Sequence, residues 1–223
     1  VSRGLGDVYK RQAHNPQDET TYFQTLPDRK GYNLLHLNAF YDLCSRQYTD
    51  AIIQPSRLAN ERRAMCEMID RYNDTSAIFI ADRGYENYNI FAHVEHKGMY
   101  YLIRVKDITS NGITSKLTML PESGEFDEWV NVTLTKKQTN EVKANPKKYR
   151  VIDKKTPFDY LDLHFNNFYE MKMRVIRFPI PQGSYECIIT NLPQDKFNSD
   201  EIKRLYAKPV SYTHLTLPTK RIV

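Results

Sequence analysis

Ala77-Ile78-Phe79-Ile80-Ala81-Asp82-Arg83-Gly84-Tyr85 decides how this chain is read. An uncharged, β-branched and aromatic run ends abruptly in a carboxylate, then Arg-Gly. That is the pattern of a buried strand that delivers an Asp to the edge of a sheet. Gly84 allows the backbone to turn sharply just afterwards. Ligands of α/β sheets gather outside the carboxyl ends of strands, where Asp82 is expected. An Asp that merely closes a turn is the plainer reading of the same residues.

Outward from this stretch, helical spacing appears on both sides. Leu58, Ala64, Met65, Met68 and Ile69 mark the apolar face of a helix, with Ser56 as its expected N-cap. Tyr88, Phe91, Ala92 and Glu95 mark a second helix, closed by Gly98. Upstream, Tyr32–Leu43 and Tyr48–Gln54 read as an antiparallel hairpin, stopped by Pro55. Ala13–Lys30 is polar and reads as loop. Met99–Lys106 is a further strand.

After Asp107 the pattern becomes strand-like throughout, with no helix expected. The segments are Leu117–Leu120, Trp129–Leu134, Tyr149–Ile152, Tyr160–Phe165, Lys172–Pro179 and Glu186–Thr190. Alternation is plainest in Trp129–Leu134 and Met173–Phe178. A last helix starts at Ser199 or Asp200 and carries Ile202, Leu205 and Tyr206. The expected fold is α/β, a mixed sheet with helices interrupted by a β-rich insertion.

The two ends read as foreign. Asp7-Val8-Tyr9-Lys10-Arg11-Gln12 back-translates as GAT GTG TAT AAG AGA CAG. Its reverse complement, read from the third base, encodes Val-Ser-Tyr-Thr-His, the residues from Val210 to His214. Both ends resemble translated sequencing-library adapters. The expected division is therefore 1–12 adapter-like, 13–107 core, 108–182 insertion, 183–209 return to the core, and 210–223 adapter-like. The biological part is read as an internal piece, truncated at both ends.

This division changes the charge argument. The chain has 32 Lys and Arg against 27 Asp and Glu, a net charge of +5. Removing Arg3, Lys10, Arg11, Lys220, Arg221 and Asp7 leaves 27 against 26. Net charge is then no argument for nucleic-acid binding. No apolar run is long enough to span a membrane. Cys44, Cys66 and Cys187 form no zinc or disulfide pattern and read as buried thiols. No P-loop, dinucleotide fingerprint or Ser-His-Asp elbow is present.

Gly31–Leu43 (GYNLLHLNAFYDL), Ala59-Asn60-Glu61, Ala81–Glu86 (ADRGYE) and Ile189–Pro193 (ITNLP) together resemble bacterial insertion-sequence transposases. The likeness is to the DDE group with a Tyr-x-x-Arg-x-x-x-Glu-x-x-x-x-x-x-Lys signature on its last catalytic helix, and it spans about Asn15 to Lys208. It implies a ribonuclease-H-like catalytic domain. It also implies two divalent cations, Mg²⁺ or Mn²⁺, held by three carboxylates for phosphoryl transfer. The implied partners are terminal inverted repeats, target DNA and a second copy of the protein, in a bacterial cytoplasm at the nucleoid.

On this resemblance Asp82 matches the second metal-binding Asp, and Tyr206 the signature Tyr. The first Asp belongs upstream of Ala13. Pro209 stands where the signature Arg belongs; a first base C shared with Arg codons makes this an expected junction artefact. The signature Glu and Lys are absent. The chain as it stands is expected not to catalyse transposition.

For DNA contact the candidates are Arg83, Arg104, Lys106, Lys136, Lys137 and Trp129. Each has a plainer alternative: a surface ion pair for Arg83, a solvated face for Arg104 and Lys106, solubilising charge for the Lys pair, and a core position for Trp129. His36, His93, His96 and His164 show no ligand spacing, and no acidic partner is evident for His93 and His96. The alternative functions are a related metal-dependent nuclease and a non-catalytic DNA-binding remnant.

Overall fold

The computed structural model describes residues 15–24, 26–161, 167–181, 183–210 and 221–222. Segment 1–12, most of 210–223, His164 and the later part of the expected Tyr160–Phe165 strand lie outside them. Tyr160 and Leu161 themselves are not in a strand.

The first unit is the expected hairpin. Strand β1 (Leu35–Asp42) pairs antiparallel with β2 (Gln47–Pro55), with a bulge between Phe40 and Tyr41. Asp42 holds the turn by accepting from the Cys44 amide and the Ser45 hydroxyl, both at 2.7 Å. Tyr32-Asn33, expected to begin β1, instead pairs with Tyr22-Phe23.

Helix α1 (Glu61–Arg71) follows. Its N-cap is Asn60, whose side chain accepts from the Arg63 amide, and not Ser56, which opens a separate short 3-10 turn. Strand β3 (Ile78–Ala81) leads to α2 (Tyr88–His96) and β4 (Tyr100–Val105). Gly98 ends α2 as expected, at φ +68°. The Gly98 amide donates to Glu95 and the Met99 amide to Val94, the paired bonds of a left-handed helix stop.

The later block consists of β5 (Phe126–Thr135), α3 (Asn140–Ala144), β6 (Tyr149–Val151), β7 (Tyr169–Pro179), β8 (Tyr185–Thr190) and α4 (Ser199–Val210). Two expectations fail here. Leu117–Leu120 is not a strand: it follows a 3-10 turn, and both Leu side chains are buried three residues apart, the spacing of a turn rather than of a strand. The short helix α3 was not expected; Thr139 caps it and Val142 is its buried anchor. Helix α4 is capped by Asn198, whose side chain accepts from the amides of Asp200 and Glu201 while Glu201 accepts from the Asn198 amide. This reciprocal pair displaces Ser199 and Asp200 as the cap.

The six-stranded sheet runs β3-β4-β8-β7-β5-β6. The β3–β4 and β5–β6 pairs are parallel and the others antiparallel. Strands from the 108–182 segment therefore continue the same sheet as β3 and β4. The β1–β2 hairpin stands beside it. Arg221-Ile222 pairs in parallel with β1 at Ala39 and Phe40 and lies against β3.

Two apolar layers result. One face of the sheet joins α1 and α2 through Met65, Ile69, Phe79, Phe91, Tyr101 and Met173. Phe40 reaches this layer from the hairpin, its ring 5.1 Å from that of Phe79. Burial of each such ring contributes roughly 1.5–3 kcal/mol. On the other face Ile80, Leu102, Ile176 and Ile188 pack against Ile202 of α4, with Leu205 and Tyr206 alongside. That second layer sets α4 over the carboxyl end of β3. Cys66 and Cys187 are buried as expected, while Cys44 is exposed because it sits in the hairpin turn.

Candidate active site

Asp82 follows directly on β3. Its Oδ1 accepts from the Gly84 amide at 2.8 Å, so the carboxylate caps the 3-10 turn Arg83–Tyr85. The buried strand behind it, Phe79 to Ala81, fixes its position. Tyr85 packs beneath the turn, and burial pushes its phenol well above the ordinary value.

Tyr206 comes to this end of the sheet from α4 and meets Arg104 there. Burial raises its phenol; the neighbouring Arg104 opposes that rise, while Glu186 and Asp82 add to it. Arg104 on β4 meets Glu186 on β8 at 3.0 Å. Asp82, Arg104, Glu186 and Tyr206 thus converge from separate elements on one end of the sheet.

Beside them lies an open groove of about 680 Å³, lined by Arg83, Arg104, Lys106, Asn111, Tyr185 and Glu186 among others. Three of the residues expected from the sequence to contact DNA therefore share one surface. The Lys106 amide donates to Glu86 at 2.9 Å and its ammonium group to the Asn111 carbonyl at 3.1 Å, which holds the 106–113 loop against the groove. Tyr185 is an exposed aromatic at this wall, with the Arg177 guanidinium 3.7 Å from its ring centre. Arg177 is itself held by Asp107 at 2.6 and 3.1 Å, and that contact drives the Asp107 carboxyl well below its usual range. Burial pushes the adjacent Cys187 thiol up to about 12, which leaves it protonated and unreactive.

The remaining candidates lie elsewhere. Trp129, Lys136 and Lys137 belong to β5 or the turn after it, three strands from β4 and so about 14 Å across the sheet. Trp129 is not a core residue: it is half-exposed, with the Lys172 ammonium 4.9 Å from its ring centre. Its strand neighbours Val130 and Val132 fill the core instead, because they point to the other face. Lys136 is half-buried and Lys137 exposed.

Glu186 and Tyr185, which line the groove, and Arg177, which lies on the Tyr185 ring, were not among the residues expected from the sequence. Their signal lies in the β4–β8 pairing, which sets Val105 opposite Cys187 and Arg104 opposite Ile188. Knowledge of that register places Glu186 beside Arg104. His93 is a second miss, since it does have acidic partners: Asp70 lies 2.6 Å from Nδ1 and Asp159 2.9 Å from Nε2.

Among the described residues, no group of three or more His, Cys, Asp or Glu side chains is placed to hold a metal ion. Asp82 offers a hard carboxylate donor, and among the described residues no complete ligand set surrounds it. No described helix is long and apolar enough to cross a membrane.

A search of curated proteins found no match to this chain. The family model of the transposase DDE domain, in contrast, matches residues 12–208. A match over that share of the sequence, on a mixed α/β fold with a carboxylate at the end of its first sheet strand, means that the chain belongs to the DDE transposase family.

Proposed function

We propose that this chain is the central part of an insertion-sequence transposase of the Tyr-Arg-Glu-Lys group, and that Asp82 is the second of its three metal-binding carboxylates. The observation that carries the reading is the placing of Asp82, at the end of β3, next to Arg104 on the paired strand β4, beside a groove lined by Arg83, Arg104 and Lys106. A carboxylate for a divalent cation next to cations for the phosphodiester is the pairing that DNA strand cleavage requires.

Mg²⁺ or Mn²⁺, when bound, would polarise the scissile phosphate and activate the attacking oxygen. Among the described residues Asp82 is the carboxylate that would hold it, since the nearby Glu186 is engaged by Arg104. This chain's own residues do the rest. Arg83, Arg104 and Lys106 bind the backbone, Tyr185 offers a ring for an unpaired base, and Tyr206 holds Arg104 beside Asp82 from α4.

Strand β1 and strand β3 are separated by a gap that, among the described residues, only Arg221-Ile222 enters. A ribonuclease-H-like fold has a carboxylate-bearing strand at that place, which supports reading the chain as an internal piece inactive by itself. Segment 108–182 is the β-rich insertion, and segments 1–12 and 210–223 are adapter-derived. The full-length protein acts as a dimer on paired DNA ends in the bacterial nucleoid.

The test is DNA binding by fluorescence anisotropy with a duplex oligonucleotide. Arg104→Gln and Lys106→Gln are expected to weaken binding and each to lower the salt slope by about one. Unchanged affinity and slope in both variants would remove the groove from the reading. Resequencing the source DNA outward from codons 13 and 208 tests the fragment reading. The expected result is an upstream strand ending in Asp and a downstream Arg-x-x-x-Glu; unbroken genomic continuation of the present flanks would favour a DNA-binding remnant.

A further inference from the structure

A second cavity, of about 250 Å³, lies between the start of α2 and the β6 strand, and shares no lining residue with the groove beside Asp82. Arg62, Lys116 and Arg150 bring three cationic side chains to its wall, and Tyr88 brings a phenol. Tyr88 is only 9 % exposed; the Arg150 guanidinium lies against its buried oxygen, and its O–H finds no acceptor. Arg150 Nε is likewise buried and unpartnered. Two orphaned donors facing one polar cavity mark a place where an acceptor is missing, since a buried polar group left unpaired costs about 1–3 kcal/mol.

The other charges there do not supply that acceptor. Glu86 is engaged by the backbone amides of Lys106 and Ile113, and Asp153 by that of Lys155. Arg62 Nε donates to the Gly84 carbonyl at 3.1 Å, so one cation is also tied to the turn that follows Asp82. Helix α2 starts at this wall, and the positive end of its dipole adds to the preference for an anion.

We propose that this cavity is a phosphate-binding site, in which the Tyr88 hydroxyl and the Arg150 guanidinium donate to phosphate oxygens while Lys116 and Arg62 balance the charge. The ligand is a phosphate group, carried by DNA or free in solution. The inference is independent of the groove and of its role in strand cleavage.

The test follows ³¹P line broadening of inorganic phosphate by the full chain at constant ionic strength, with chloride as the balancing anion. Saturable broadening is expected. Arg150→Gln should weaken it about tenfold, the effect of one charge-assisted hydrogen bond. Tyr88→Phe and Lys116→Gln should each weaken it less, and Lys30→Gln, an exposed charge remote from the cavity in sequence, not at all. Tyr88→Phe and Lys116→Gln keep the test decisive if Arg150→Gln fails to fold, as judged by circular dichroism. A short DNA duplex that relieves the broadening identifies DNA as the source of the phosphate; a duplex without effect identifies the free ion. Absence of saturable broadening, or equal broadening in wild type and all cavity variants, would overturn the proposal and leave the cavity to water. Failure here leaves the anisotropy result at Arg104 and Lys106 untouched, so the two readings fall separately.

Discussion

Arg174, with no exposed surface, grips Asp127 with two nitrogens at 2.6 and 2.5 Å, and the Ser199 hydroxyl donates to the same carboxylate at 2.7 Å. A further Arg174 nitrogen donates to the Phe197 carbonyl at 2.6 Å. The clasp joins β7, β5 and the start of α4, the helix that carries Tyr206. Asp127→Ala leaves a buried guanidinium unpaired and is expected to cost about 3–5 kcal/mol in urea unfolding. Replacing both partners, as Asp127→Leu with Arg174→Met, should recover part of that loss, and a double-mutant cycle reads the coupling. Strict additivity of the single changes would show that the two charges do not act as a pair.

Glu95 gives the clearest dependence on pH. Burial raises its carboxyl to about 7, against weaker lowering by hydrogen bonds from Tyr101 and Tyr169. The folded state therefore holds this proton more tightly than the unfolded chain, where the ordinary value is about 4.3. Between those values stability falls as pH rises. Glu95→Gln, which keeps hydrogen-bonding capacity without the charge, is expected to flatten that part of the stability profile and to raise the thermal midpoint at neutral pH more than at pH 5. Parallel profiles for wild type and variant would assign the slope to another group.

His93 is buried, with a carboxylate at each ring nitrogen. The contact ties the 153–161 segment to α1 and α2, since Asp159 also accepts from Asn89 at 2.9 Å. His93→Phe keeps an aromatic ring and removes both bonds. With Asp70 and Asp159 partly solvated, the expected cost is about 1–3 kcal/mol, below that of a fully buried pair. Hydrogen exchange should show faster opening of 153–161 than of β3 and β4. Equal protection in both regions would mean that the contact is not local to the segment.

Gly98 sits at φ +68°, with nothing within 4 Å of the place a Cβ would occupy. Gly98→Ala therefore tests backbone conformation without steric conflict, and is expected to cost about 1–2 kcal/mol, the left-handed penalty of an L-residue. Chemical denaturation measures it. No loss would mean that the stop of α2 tolerates a different turn.

The hairpin, both central helices, the Asp82 strand and most later strands were legible from side-chain period alone, because each has one plainly apolar face. Asn60, Thr139 and Asn198 show why boundaries were harder: several cap-competent residues lie close together, and packing selects among them. Leu117 and Leu120 show how two buried residues imitate a short strand. Asp82, Arg104 and Lys106, which the structure brings to one end of the sheet, stood out in the sequence because each belongs to a local pattern. Glu186 and Tyr185 could not, since they reach the groove only through pairing of β8 with β4, strands more than eighty residues apart in sequence. The acidic partners of His93 were missed for the same reason: Asp159 lies 66 residues away.

Arg221-Ile222 touches β1 at two of its eight residues. Among the described residues the rest of that edge, and the outer edge of β3, keep backbone donors and acceptors without a neighbouring strand. Such edges recruit any extended peptide that fits, another copy included. The property governed by this gap is colloidal behaviour: association should rise with protein concentration well below the unfolding temperature, and an added β-strand peptide should suppress it.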